Sequence, residues 1–314
     1  MKAAKMVKRP KDLVINVRKI DFHLLPFLKN NHDWHKDGVV IMHFMNAFQS
    51  LFPDGEGLFI DAVRDSMARY SSKISQDHVL QHDIEMFIKQ EGRHSVLHEK
   101  WTQALITTGY HKMKSYDKQL YRFRLWARSH LNLMTRLSLS IASEQYTASL
   151  AGLFAADFPE IILHSPPLIQ KIFLYHAMEE LEHKSVCFDI YQILNGGYLR
   201  RMAGMVFITF DILINTFLRQ RYLLRADGKW NRQQKKKCWE LYLGHKGLLH
   251  MLFPKIGAYL RPSFYPWQSD ERKKFEKKFG HLLKELKIPG FIYKENTDHM
   301  IEKRTNMTKS SLAN

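Results

Sequence analysis

Apolar residues recur along this chain at helical spacing, and prolines and glycines are few enough to leave long uninterrupted stretches. The first stretch, about residues 36–51, is interrupted by Phe52-Pro53-Asp54-Gly55. The segment GEGLFIDAVRDSMARY follows, with Leu58, Phe59, Ala62, Val63 and Met67 at the spacing of one buried helix face. A second helix is predicted from about Gln76 to Thr107, stopped by Gly109. A third runs from about Asp117 to Phe154 with a break near Ser129, and a fourth from just after Pro166-Pro167 to about Leu194, ahead of Asn195-Gly196-Gly197. Strand signals are few. The pattern predicts an all-α protein: an N-terminal extension at 1–35, a four-helix bundle at 36–197, a C-terminal helical region at 198–290 packed on it, and a disordered tail at 291–314.

Beyond Gly197 the pattern changes. Ala203 to Leu218 is strongly apolar, contains Asp211, and is flanked by Arg200, Arg201, Arg219 and Arg221. A spanning helix needs roughly 20 mostly apolar residues. The first reading is therefore a buried packing helix, the second a helix dipping into a membrane interface. Between Arg219 and Lys237 eight basic residues face one acid, Asp227, in what reads as a charged loop or helix end. Further helices are predicted at about Trp239–Leu260 and Ser269–Lys287.

Charge then narrows the partners. With 48 Lys+Arg against 31 Asp+Glu, the net charge of +17 favours an anionic surface. No helix-turn-helix, zinc-finger or RNP signature accompanies it, so nucleic acid is set aside, leaving a phospholipid surface or simply a solvated basic face. Cys187 and Cys238 form neither a C-x-x-C motif nor a disulfide framework, and the N-terminus has no apolar core or cleavage site of a signal peptide. The expected location is cytoplasmic, with peripheral contact at the inner face of the membrane.

The chemistry lies in the predicted bundle, at Glu56, Glu91-x-x-His94, Glu144 and His176-x-x-x-Glu180-x-x-His183. A glutamate and a histidine three residues apart lie about 60° apart around a helix and can reach one ion. Two such pairs with two further glutamates, each set on its own helix, form the ligand set of a carboxylate-bridged dinuclear site. Four buried glutamates would be very costly unless neutralised, and two divalent ions balance their charge. Oxygen and imidazole donors without thiolate suit iron or manganese and accept zinc. His176 is a seventh ligand candidate. His98, one turn beyond His94, is a ligand or supporting candidate. Gln90 and Glu179 are candidate partners of the ligand histidines, and Glu182 is expected on the surface.

These motifs resemble the ferritin-like di-iron carboxylate superfamily. More narrowly, FPDGEGLF, QEGRHSVLHEKW, SEQYTASLAG, HAMEELEHKSVCFDIY and RPSFYPW resemble the bacterial family of predicted metal-dependent hydrolases, over about residues 15–285. Members often carry a histidine after the third-helix glutamate, where this chain has Gln145. The H-x-x-x-E-x-x-H run is similar to that of di-iron arylamine N-oxygenases. By that resemblance His176 is a third imidazole ligand, and His183 pairs with it at the same iron or across the site.

The leading expectation is an oxygenase or oxidase with two Fe ions that activate O2 against a small organic substrate, apolar with an acidic head. An electron-donor protein is then required, because no flavin or nicotinamide fingerprint is visible. The alternatives are two-metal hydrolysis and a non-catalytic metal-binding protein at a membrane surface.

Overall fold

The computed structural model describes residues 9–289. The described residues fold into thirteen α-helices and a 3-10 turn at Pro266–Gln268, with no strand among them. In chain order the helices are α1 (Leu24–Asn30), α2 (Val39–Gln49), α3 (Phe52–Ile74), α4 (His78–Thr107), α5 (Met113–His130), α6 (Leu133–Ala156), α7 (Glu160–Leu163), α8 (Pro167–His183), α9 (Val186–Ile193), α10 (Tyr198–Ala226), α11 (Arg232–Leu243), α12 (Leu248–Tyr259) and α13 (Glu271–Glu285).

Four of these form a closed ring: α3 and α8 each pack against both α4 and α6. Local chemistry fixes their starts. The Asp77 side chain accepts from Leu80 N–H at 2.9 Å at the head of α4, and Asn132 accepts from Thr135 N–H at 2.9 Å at the head of α6. Pro167 opens α8, where a missing N–H costs nothing. Helix α6 is apolar or small on nearly every face and is buried along almost its whole length, as expected of a helix covered on all sides. The outer helices α10, α12 and α13 also lean on it. Phe87, Trp101, Leu137, Ile172 and Leu174 are completely enclosed in the core. Each contributes roughly 1.5–3 kcal/mol relative to exposure.

Several expectations need correction. The interruption expected at Phe52-Pro53-Asp54-Gly55 falls just before it, at Ser50 and Leu51; these four residues form the first turn of α3, where proline is accommodated. The break expected near Ser129 falls at Leu131 and Asn132, where the asparagine caps the next helix. The fourth predicted helix is two, α8 and α9, divided at Lys184 and Ser185. The stretch Trp239–Leu260 is likewise divided at residues 244–247. Arg219 lies inside α10 and is buried; the basic segment is mostly helical, turning at Gly228, whose φ of 67° suits glycine. The apolar segment at 203–218 is buried on one face only. Residues 291–314, expected to be disordered, lie outside the described residues.

Candidate metal centre

Each helix of the ring presents its carboxylates and imidazoles inward. Glu56 comes from α3, Glu91, His94 and His98 from α4, Glu144 from α6, and His176, Glu180 and His183 from α8. All eight are buried. Their donor atoms form two groups: Glu56, His94, His176 and Glu180, and Glu91, Glu144, Glu180 and His183. Within each group the atoms lie within 4.8 Å of one another, and Glu180 belongs to both.

The contacts follow this division. His183 Nε2 is 3.0 Å from Glu91 Oε1, 3.3 Å from Glu144 Oε2 and 3.4 Å from Glu180 Oε2. His176 Nε2 is 3.0 Å from Glu180 Oε1 and 3.6 Å from Glu56 Oε1. His94 Nδ1 lies 3.5 Å from Glu180 Oε1 and 3.6 Å from Glu91 Oε1. His98 Nε2 is 3.1 Å from Glu56 Oε1. His176 and His183 thus fall in different groups, and three imidazoles crowd the Glu56 side against one on the Glu144 side.

Most of these atoms approach without aligning as hydrogen bonds. Both oxygens of Glu56, Glu91 and Glu144 lack a hydrogen-bond partner, as do His94 Nδ1, His176 Nε2 and His183 Nε2. Buried polar atoms are rarely left so. Here the free lone pairs converge on shared space, while the other nitrogens of two rings are taken. His183 Nδ1 is 2.9 Å from Gln90 Oε1, and His94 Nε2 is 2.8 Å from Glu179 Oε2. When such a ring is neutral and donates its one N–H outward, its lone pair faces in, which is the tautomer a metal requires. The donor set therefore fits a pair of divalent ions.

Electrostatics points the same way. Burial disfavours the charged form of every member. It pushes Glu56 well above the usual carboxylate range, aided by Glu91, and Glu144 up to about 8, with His183 opposing. It also lowers His98 and His176, both with help from neighbouring imidazoles. In His183 the burial penalty is outweighed by Glu144, Glu180 and Glu91, which hold it well above the usual histidine value. Such a cluster needs protons or cations to be stable. Cys187 lies close enough to sense Glu144 and Glu91, and burial with those charges raises its thiol well above the usual value; its sulfur belongs to neither donor group.

Two residues behind the cluster escape sequence reading. Glu182, expected on the surface, is buried, because Arg18 reaches in from the N-terminal segment. Arg18 donates to Glu182 Oε2 at 2.9 Å and Gln90 Nε2 donates to the same oxygen at 3.1 Å. The Arg18 backbone N–H also donates to Glu179 Oε1 at 3.0 Å. No periodicity could reveal a pairing across 164 residues of chain. Gln145 points away from the cluster and donates to Ser149 Oγ at 2.9 Å. The late RPSFYPW segment packs behind the α8–α9 junction, with Lys184 over the Trp267 ring at 4.5 Å. Aromatic rings wall the cluster: Phe52 stands 4.8 Å from His98, Phe87 5.0 Å from His183 and Tyr175 5.6 Å from His94. On the outer side of Tyr175 is a surface cleft of about 180 Å³, lined by Phe22, Gly92, Arg93 and Lys100 among others.

No curated protein and no solved structure shows significant similarity to the chain. The sequence profile of one family does match, over residues 16–270, a span that includes every residue of the cluster. By that match the chain belongs to the family of predicted metal-dependent hydrolases.

Proposed function

We propose that the cluster holds two metal ions, iron in preference to manganese or zinc, in a ferritin-like arrangement, and that the protein is an O2-activating oxygenase or oxidase. One observation carries the reading: four glutamates and four histidines meet in an enclosed, aromatic-walled site with their free lone pairs converging. Glu56, His94 and His176 would hold one ion, Glu91, Glu144 and His183 the other, with Glu180 between them. A mixed oxygen and imidazole set suits iron that cycles between oxidation states. When bound in ferrous form, the pair supplies the electrons that reduce O2.

The chain's own residues set the conditions. Phe52, Phe87 and Tyr175 exclude water from the cluster. Gln90 and Glu179 hold the rings of His183 and His94 in the coordinating tautomer. Arg93 and Lys100 outweigh the one acid, Asp21, in the lining of the cleft outside Tyr175, which suits an acidic-headed substrate with an apolar body. Electrons return from a donor protein.

A second reading is two-metal hydrolysis, favoured by the description of the family. Anaerobic purification, metal analysis and addition of O2 to the ferrous protein separate the two. About two irons per chain with stoichiometric O2 uptake is the expected result. Tight zinc without O2 uptake overturns the oxygenase reading and favours hydrolysis.

A further inference from the structure

The outer face of α10 carries an apolar stripe that nothing in the fold covers. Leu199, Val206, Phe207, Phe210, Ile214 and Phe217 are all exposed, Phe210 at 62% and Ile214 at 53%. At 100° per residue they fall on one side of the helix. From Leu199 to Leu218 the stripe runs about 28 Å. It continues sideways onto α5, where Phe123 stacks on Phe207 at 6.0 Å and the exposed Trp126 stacks on Phe123 at 6.0 Å. Isolated exposed apolar residues need no explanation, but a continuous two-helix face does.

Helix α10 is long and apolar enough to cross a bilayer by length and composition. Its inner face prevents this. Gly204 lies so close to α6 that a Cβ there would meet the Ser138 carbonyl oxygen at 2.6 Å, and Gln220 Nε2 donates to Val40 O at 2.8 Å on α2. The helix is fastened along one side and free along the other, the disposition of a helix that lies in an interface plane.

Charge identifies what the free side meets. Residues 198–246 contain eleven basic and three acidic side chains, and of the basic ones only Arg201 and Arg219 are buried. Arg200 brackets the stripe at one end, and Arg221 and Arg225 continue the same helix face at the other. Exposed Lys118 and Arg122 border the α5 side, while Arg128 turns to Asp61 on α3. Asp211, the one acid in the stripe's span, is turned to Asn215 and bonded to it at 2.8 Å. A second copy would bring these two basic rims together across a two-fold axis, and like charges there repel. An anionic lipid leaflet complements both features, taking the apolar stripe among its acyl chains and the arginines at its headgroups.

We propose that this face of α10 and α5 binds an anionic phospholipid surface peripherally, without spanning it. The proposal is independent of what the metal cluster does. Vesicle flotation tests it, comparing pure phosphatidylcholine with vesicles containing phosphatidylglycerol. The expected result is flotation with the anionic vesicles, at least tenfold weaker binding to the neutral ones, and loss of binding in 0.5 M salt. The double variant F210E/I214E changes only exposed positions, so its circular dichroism should match the wild type while flotation is lost. No binding of the wild type to anionic vesicles overturns the proposal. So does binding that F210E/I214E leaves intact. A dimer in solution that the same variant dissociates also overturns it, and assigns the face to a second copy.

Discussion

Gln90 and Glu179 show how much of the candidate site resides in residues behind its inward-facing donors. Each accepts from one nitrogen of a site histidine and so leaves the other free to coordinate. Gln90→Leu keeps the size but removes the acceptor. Metal affinity, read by chelator competition, should fall about 10–100-fold while the helix content is kept. Unchanged affinity would mean that packing alone orients His183. Glu144→Ala removes an inward oxygen donor outright and should abolish stoichiometric loading; a full metal complement in that variant refutes the proposed ligand set. Away from the cluster, Asp189 offers a separate test. Burial pushes its carboxyl up to about 7, and Ser185 Oγ lies 2.8 Å away. A carboxyl whose folded value lies above its unfolded one binds its proton more tightly when folded. Its contribution is therefore full at about pH 4 and is lost as pH rises towards 7. Three pH units would correspond to about 4 kcal/mol at the limit, and partial solvation reduces this to roughly 1–3 kcal/mol. Asp189→Asn lacks that loss, so urea denaturation should find the variant gaining on the wild type between pH 5 and pH 8. A constant difference between the two proteins at both pH values excludes a raised Asp189.

At the level of helices, local spacing was a good guide wherever the signal was local. Glu91 and His94, or Glu180 and His183, share a face because of helix geometry alone, so their convergence could be read from the sequence. The start of α4 falls close to the expected Gln76, whereas that of α6 is set by Asn132, three residues beyond the break expected near Ser129. The division of α8 from α9 was not visible, because no proline or glycine marks it. It falls at Lys184 and Ser185, where Lys184 turns to donate to Glu271 Oε2 on α13 at 2.7 Å. The inner and outer faces of α10 were also illegible, since both are apolar and only the contact with α6 distinguishes them. Gly204 makes that contact close. An alanine in mid-helix would ordinarily gain up to about 1 kcal/mol over glycine. Here its Cβ would lie 2.6 Å from the Ser138 carbonyl oxygen and 2.9 Å from the carbonyl carbon, both backbone atoms that cannot rotate away. Overpacking of about 1–3 kcal/mol should win, so Gly204→Ala is expected to lower the unfolding free energy in denaturant titration. A stabilised variant would show that α10 can slide on α6.

On the scale of the whole molecule, the bundle and the order of its inward glutamates and histidines were legible from motif spacing, whereas the clasp of Arg18 on Glu179 and Glu182 was not, because it joins segments distant in sequence. That clasp makes the N-terminal segment part of the site's support and not an appendage. The same long-range logic gives metal removal a structural consequence. The donors come from α3, α4, α6 and α8, so the proposed ions would tie all four members of the ring together. Ligands that bind only the folded state stabilise it by about 4 kcal/mol at a thousandfold excess over Kd. For a chain of this length that corresponds to roughly 6 °C in melting temperature. Chelation should therefore lower the Tm of the wild type by that order, and hydrogen exchange should rise first in the ring helices and least in α11 and α12, which contribute no donor. Glu144→Ala, unable to load fully, should already melt near the chelated value and respond little to chelator. A wild-type Tm that chelator leaves unmoved, after metal loss has been verified, would mean that protons neutralise the buried glutamates as well as metals do, and that the ring does not depend on the ions for its cohesion.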